Sequence, residues 1–275
     1  MQLSSKEIDR IIETALAEDI GKGDITTNAL IDSGTTAKFS FVSREDIILC
    51  GLPVITRIFD KFAITQSGNH KDGDKILAGE TLLKITGEGR AILTVERVSL
   101  NLLQHMSGIA TLTHKYVERV KHTKAKILDT RKTMPGLREI EKYAVGIGGG
   151  QNHRMRLDDG VLIKDNHITI CGGVKEALKR ARKNLPGIKI EIECESLEQV
   201  KAALENGADI LLLDNMKPAL LKEIVALVKG QIPLEASGGI NLDNVKQIAE
   251  TGVDFISIGA LTHSAPNADI GLDMS

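Results

Sequence analysis

The chain has 275 residues, 26% charged and 42% hydrophobic, enough for one α/β barrel or for a barrel with a smaller domain. Its net charge of −2 excludes a global pull toward nucleic acid or an anionic membrane, so any affinity for anions must come from local clustering. No apolar run approaches the ~20 residues of a membrane span. The three cysteines, Cys50, Cys171 and Cys194, form neither a CxxC pair nor a disulfide framework, which predicts a reducing cytoplasm.

The N-terminal segment MQLSSKEIDRIIETALAEDIG places Ile8, Ile11, Ile12, Ala15 and Leu16 at helical spacing, with Ser4 or Ser5 available as N-cap. Its acids distinguish it from a secretory signal. A Gly-, Asp- and Thr-rich turn, EDIGKGDITT (18–27), follows. From about 36 to 86 the pattern becomes short strands punctuated by glycine, AKFSFVSR, DIILCG and KILAGETLLKITG, which predicts a small β-rich unit. Residues 91–122 read as a long helical region, apolar on more than one side, with Gly108 as a break point.

Six apolar runs then end abruptly in polar residues: KILDTRK (126–132), GVLIKD (160–165), IKIEIECE (188–195), ILLLDN (210–215), IPLEASGG (232–239) and FISIGAL (255–261). Amphipathic stretches of helical length, such as 174–185 and 197–207, lie between most of them. The alternation predicts parallel βα units, and in a ring of such units the strand C-termini converge on the active-site face. Asp129, Arg131, Lys132, Lys164, Glu193, Asp214, Glu235 and Ser237 stand at those ends, a charged mouth suited to an anionic substrate. GIGGG (146–150) follows a helix rather than a strand, so it reads as a flexible turn and not a dinucleotide loop.

ASGGI (236–240) and SIGAL (257–261) close the last two strands, where barrels of this kind commonly bind phosphate. Glycine lets backbone N–H groups approach the anion, and a helix is expected over 240–252 directly after Ser237-Gly238-Gly239. Arg131, Lys132, Lys164, His153 and Arg154 supply cations, and guanidinium groups suit carboxylates and phosphates. Arg138 and Arg156 read as structural. Glu193 and Asp214, on successive strand ends, suit Mg²⁺ or ribose hydroxyls, with a salt bridge to Lys164 as the alternative. Glu191, Glu193 and Glu195 share a face at spacing two, so the sequence leaves open which of them matters. The histidines show no zinc spacing, and no serine or cysteine has the context of a nucleophile.

With these residues assembled, the chain resembles the quinolinate phosphoribosyltransferases over nearly its whole length. The resemblance is carried by EDIGKGDITT, ERVSLNLLQHMSGIAT, LDTRKTMPGLREIEKYAVGIGGGQNHRMRLDDGVLIKDNH, IEIECES, LLLDNM, LEASGGI and ISIGALTHS. It implies an N-terminal α/β sandwich over 1–110, rejoined by the tail from about 264–275. An α/β barrel of fewer than eight units would occupy 111–263. It also implies a homodimer or higher oligomer in which Arg97 enters the neighbouring chain's site. Arg97, Arg131, His153 and Arg154 would hold quinolinate's two carboxylates, with Lys164 nearby. Lys132 and Lys164 would contact phosphoribosyl pyrophosphate. Glu193 and Asp214 would engage ribose hydroxyls and Mg²⁺. Ser237, Gly238, Gly239 and Gly259 would cradle the 5′-phosphate, with His263 close by.

Three rivals remain at this level. One is a relative with the same frame and another acceptor, which would not need the full Arg97, Arg131, His153 and Arg154 set. Another is a Schiff-base aldolase using Lys164. The third is a phosphosugar-binding protein without turnover.

Overall fold

The computed structural model describes residues 3–274. In chain order the elements begin with α1 (Ser5–Ile20), α2 (Ile25–Leu30), β1 (Thr36–Ser43), β2 (Ile47–Ile48), α3 (Leu52–Lys61), β3 (Thr65–Ser67), β4 (Lys75–Ile76), β5 (Thr81–Glu88) and the long helix α4 (Gly89–Val120). They continue with β6 (Lys126–Leu128), α5 (Arg138–Ile147), β7 (Val161–Ile163), α6 (Asp165–Cys171), α7 (Val174–Asn184), β8 (Ile190–Cys194) and α8 (Leu197–Glu205). Then follow β9 (Ile210–Asp214), α9 (Pro218–Val228), β10 (Leu234–Ser237), α10 (Val245–Ala249), β11 (Phe255–Ser257), α11 (Ala260–His263) and β12 (Ile270–Met274). The chain forms two compact units, one of Met1–His114, Thr133–Gly149 and Leu261–Ser275, the other of Lys115–Lys132 and Gly150–Ala260.

The first unit is built on an antiparallel sheet of order β12-β1-β5-β3. The tail strand β12 pairs with β1 from Phe39↔Met274 to Ser43↔Ile270. Ser4 caps α1, its side chain accepting from Glu7 N; of the expected stripe, Ile8, Ile11 and Ile12 are buried and Ala15 and Leu16 are half-buried. Helix α3 has no capping side chain of its own. Asp72 substitutes, its carboxylate accepting from Gly51 N and Leu52 N at 3.0 Å each. Tyr143 donates to the same carboxylate at 2.9 Å.

One glycine reading needs correction, while the turn read at GIGGG is present at Gly148 and Gly149. Helix α4 runs unbroken through Gly108, because that glycine serves packing and not flexibility: a Cβ there would lie 2.0 Å from the Pro266 carbonyl oxygen. Gly148, within the expected flexible turn, is likewise a close-approach position, where a Cβ would sit 2.4 Å from the Ala110 carbonyl.

The second unit holds all six apolar runs as one parallel sheet, order β6-β11-β10-β9-β8-β7. Six parallel strands carrying helices match a barrel of fewer than eight units. Its central strands are buried on both faces, as parallel sheets require. Side chains alternate along each strand. In β8 this puts Ile190, Ile192 and Cys194 on one side and Glu191 and Glu193 on the other. The helix expected over 240–252 is reduced to Val245–Ala249. Asn241 accepts from Asp243 N and Asn244 N, while Asn244 accepts from Asn241 N, so these side chains hold the preceding residues in a turn.

Candidate active site

A cavity of about 360 Å³ opens at the C-terminal ends of the parallel strands. It is lined by Thr130, Arg131, Lys132, His153, Arg154, Leu162, Lys164, Glu193, Leu212, Asp214, Glu235, Ser237 and Ser257. Period-two alternation explains the list: Leu212 with Asp214, and Glu235 with Ser237, are pairs two apart on one strand face. A larger cavity of about 480 Å³ in the first unit, around Leu52, Leu82 and Asp72, lacks such a convergence of charge. Volume alone therefore does not identify the site.

The segment after β6 is held from below. Asp129, fully buried, accepts from His153 N at 2.9 Å and from Asn152 Nδ2 at 2.6 Å. Asp129 was read as part of the charged mouth; it is instead a buried clamp on the segment carrying His153 and Arg154. Arg154 donates through its guanidinium to the Gly160 carbonyl at 2.8 Å. Burial, and then the charge of Arg131, lower the pKa of Arg154. A guanidinium both desolvated and beside a like charge is a place where a bound anion gains most.

Lys164 begins α6, and its ammonium lies 2.9 Å from the Glu193 carboxylate. Glu193 is nearly buried and Lys164 about half exposed. Asp214 accepts from Asn215 Nδ2 at 2.6 Å. Of the two carboxylates, it is Glu193 that takes the salt bridge weighed as the alternative reading. Carboxylate oxygens of Asp165, Glu193 and Glu195 gather within 4.8 Å of one another, a further arrangement able to receive a cation. A Schiff-base lysine needs an amine desolvated or beside other cations, whereas Lys164 is ion-paired and half exposed.

Beneath the cations, three residues that the sequence named only separately come together. His153 Nε2 is 3.0 Å from Glu191 Oε2 and 3.7 Å from Glu235 Oε2. Glu191 and Glu235 are both buried. Burial first, and then the Glu191 charge, push the Glu235 pKa up to about 8, against the opposing influence of His153 and Ser257. Spacing did flag Glu191 as one of three candidates, but nothing in the sequence joins it to residues 153 and 235.

At the end of β10 the chain turns through Gly238 and Gly239, with φ of 88° and 62°. A Cβ on Gly238 would lie 2.2 Å from Asn215 Oδ1, so glycine is required there, while Gly239 faces open space. Gly259 directly precedes α11. Arg97 is exposed on α4, and His263 is exposed with its Nδ1 2.6 Å from Ser264 Oγ; neither lines the cavity described above.

The fold and this cavity define an α/β-barrel enzyme with a cavity of converging charged side chains at its strand C-termini. Residues 109–273 match the quinolinate phosphoribosyl transferase C-terminal domain and residues 24–107 the N-terminal domain of the same family. The nicotinate-nucleotide pyrophosphorylase (carboxylating) of Mycobacterium leprae is 44% identical over 283 residues, covering 99% of this chain and 100% of that protein. A probable enzyme of the same name from Methanocaldococcus jannaschii is 43% identical, with 96% of each chain covered. The crystal structure of nicotinate-nucleotide pyrophosphorylase from Ehrlichia chaffeensis superposes with a TM-score of 0.96 at 45% identity, covering 100% of both chains. The chain belongs to the quinolinate phosphoribosyl transferase family.

Proposed function

We propose that this protein transfers phosphoribosyl from phosphoribosyl pyrophosphate to quinolinate with decarboxylation, giving nicotinate mononucleotide, pyrophosphate and CO₂, a step of de novo NAD synthesis. The observation that carries the reading is the convergence of Arg131, Lys132, Arg154 and Lys164 with Glu193 and Asp214 in one cavity. A dicarboxylate and a polyphosphate donor are the substrates such a wall suits.

In this reading Arg131 and Arg154 hold the carboxylates of quinolinate, with Lys164 at the same wall. His153 belongs to that wall, though its ring nitrogens are both engaged by protein groups. Lys132 and Lys164 contact the donor, and Glu193 and Asp214 the ribose hydroxyls. Ser237, Gly238, Gly239 and Gly259 receive the 5′-phosphate, with His263 contributing nearby. Arg97 enters from the neighbouring chain of a homodimer or higher oligomer.

Glu193 and Asp214 also fit Mg²⁺, which typically takes one or two protein carboxylate oxygens and completes its shell with substrate phosphates and water. When bound, the ion offsets the negative charge of the departing pyrophosphate. The chain's own residues position the ring nitrogen against carbon 1 of the ribose and exclude competing orientations. The C–O bond to pyrophosphate breaks as the N–C bond forms. The alkylated ring then accepts the electron pair of the breaking C–C bond, CO₂ leaves, and a solvent proton replaces it on the ring. No protein nucleophile is needed, consistent with the free thiols Cys50 and Cys194 being buried, their pKa raised chiefly by burial.

The test is formation of nicotinate mononucleotide from quinolinate and phosphoribosyl pyrophosphate with Mg²⁺. Product that forms equally well from nicotinate would move the acceptor to a monocarboxylate.

A further inference from the structure

His153 occupies the cavity wall, yet its ring is turned toward the protein. Its Nδ1 accepts a hydrogen bond from Arg154 N at 2.8 Å, so Nδ1 holds a lone pair and the ring hydrogen sits on Nε2. That hydrogen points at Glu191 Oε2, 3.0 Å away, with Glu235 Oε2 behind at 3.7 Å. Both carboxyls are buried, and both belong to strands of the rigid sheet. The ring therefore has no N–H left to offer a substrate carboxylate.

What the ring does instead follows from its neighbours. Asp129 fixes the amide of His153, and His153 Nδ1 fixes the amide of Arg154. The Arg154 side chain springs from that peptide and must be held against the repulsion of Arg131. Were the ring flipped, or protonated on both nitrogens, an N–H would face the Arg154 N–H and the contact would be lost.

We propose that Glu191, backed by Glu235, is a positioning residue for quinolinate binding: by accepting from Nε2 it holds His153 in one tautomer, and that tautomer holds the Arg154 peptide and aims its guanidinium. The proposal rests on the assignment of Arg154 to a quinolinate carboxylate. A carboxylate that orients a histidine, which in turn orients a functional group, is a recurrent arrangement in which the outer partner sets tautomer and direction.

The experiment combines ring-nitrogen NMR with steady-state kinetics on the full-length protein. With ¹⁵N-histidine labelling, the His153 signals among those of the seven histidines are assigned by their loss in His153→Gln. The expected wild-type signature is a neutral ring with hydrogen on Nε2 only. Glu191→Ala is expected to mix the tautomers and raise KM for quinolinate roughly tenfold, as loss of one hydrogen bond to a charged group implies. KM for phosphoribosyl pyrophosphate should stay within about twofold of wild type, far below the tenfold that loss of such a bond implies. Glu191→Gln, which restores an acceptor oxygen, should recover most of the quinolinate affinity.

A His153 ring protonated on Nδ1 in the wild-type protein overturns the proposal, and so does wild-type quinolinate KM in Glu191→Ala. If Glu191→Ala does not fold, the wild-type ring signature and Glu191→Gln decide the matter. Normal quinolinate KM in Arg154→Ala, with the Nε2–H signature intact, would instead show that the carboxylate assignment of Arg154 has failed.

Discussion

The ammonium of Lys164 lies 2.9 Å from the carboxylate of Glu193, joining the end of β7 to the end of β8 across the mouth of the cavity. Glu193 is nearly buried while Lys164 keeps about half its side chain exposed, so the pair presents a cation to solvent over a protected anion. Replacing Lys164 with Met leaves Glu193 without its partner and, in the proposed reading, removes a contact to the donor. The expected result is a fall in kcat/KM for phosphoribosyl pyrophosphate of at least tenfold, measured by initial rates. A variant with unaltered donor kinetics would remove Lys164 from the mechanism.

In the proposed reading Arg131 and Arg154 divide the work of binding the dicarboxylate. Arg131→Ala should raise KM for quinolinate by roughly 30- to 100-fold, the scale of a lost charge-assisted contact of about 2–3 kcal/mol. Donor affinity should be nearly unaffected. Asp214→Ala should show the opposite division, weakening the donor and shifting the Mg²⁺ dependence while sparing quinolinate. Titrating each substrate against both variants checks the split; a loss shared equally by the two substrates contradicts it.

The raised pKa of Glu235 makes stability depend on pH. Its folded value of about 8 lies above the ordinary glutamate value of 4.5, so the native state binds the proton more tightly than the unfolded chain. The sign follows: stability contributed by this proton is fully present below about pH 4.5 and is lost as pH rises through about 8. Wild-type unfolding free energy should therefore fall with pH across that window relative to Glu235→Gln, by at most about 1.4 kcal/mol per pH unit. Denaturant unfolding at several pH values provides the measurement; parallel curves for the two proteins would place the proton elsewhere.

Gly108 allows the backbone near Pro266 to seat on α4. Because a Cβ would reach 2.0 Å from the Pro266 carbonyl, Gly108→Ala should destabilise the protein despite alanine's better helix propensity. A cost of ~1–3 kcal/mol is the scale of overpacking. Thermal unfolding decides the sign, since a pure propensity effect would raise the Tm.

Arg97 is exposed on its own chain and is assigned to a neighbour's cavity. At quinolinate concentrations far below the raised KM values of the two variants, co-refolding Arg97→Ala with Arg131→Ala should restore activity above either alone, because in the proposed dimer one site of each mixed pair contains neither lesion. No recovery from the mixture would place Arg97 outside the active site.

Much of this architecture was legible from residue order. The parallel strands announced themselves because each apolar run ends in polar residues, and the runs ILLLDN (210–215) and IKIEIECE (188–195) contain β9 (Ile210–Asp214) and β8 (Ile190–Cys194), overrunning them by one to three residues. The cationic wall and the SGG turn followed from the same strand ends. Three features did not. Helix α10 is shorter than its amphipathic pattern because Asn241 and Asn244 satisfy each other's backbone and hold a turn. Gly108 looked like a helix break because its neighbour, Pro266, is 158 residues later in the chain, a separation that periodicity cannot see. The links among Asp129, His153, Glu191 and Glu235 join four separate strand ends or loops. Two apparent surface charges, Asp129 and Glu235, are buried beside His153, Asp129 accepting from its backbone N–H and Glu235 lying 3.7 Å from its ring.

The most direct test of the function uses quinolinate carrying labelled carbon in one carboxyl at a time. If alkylation of the ring nitrogen activates the adjacent bond, label is released as CO₂ only from the carboxyl next to that nitrogen, and only when phosphoribosyl pyrophosphate is present. Release from the other carboxyl, or release without the donor, would contradict it.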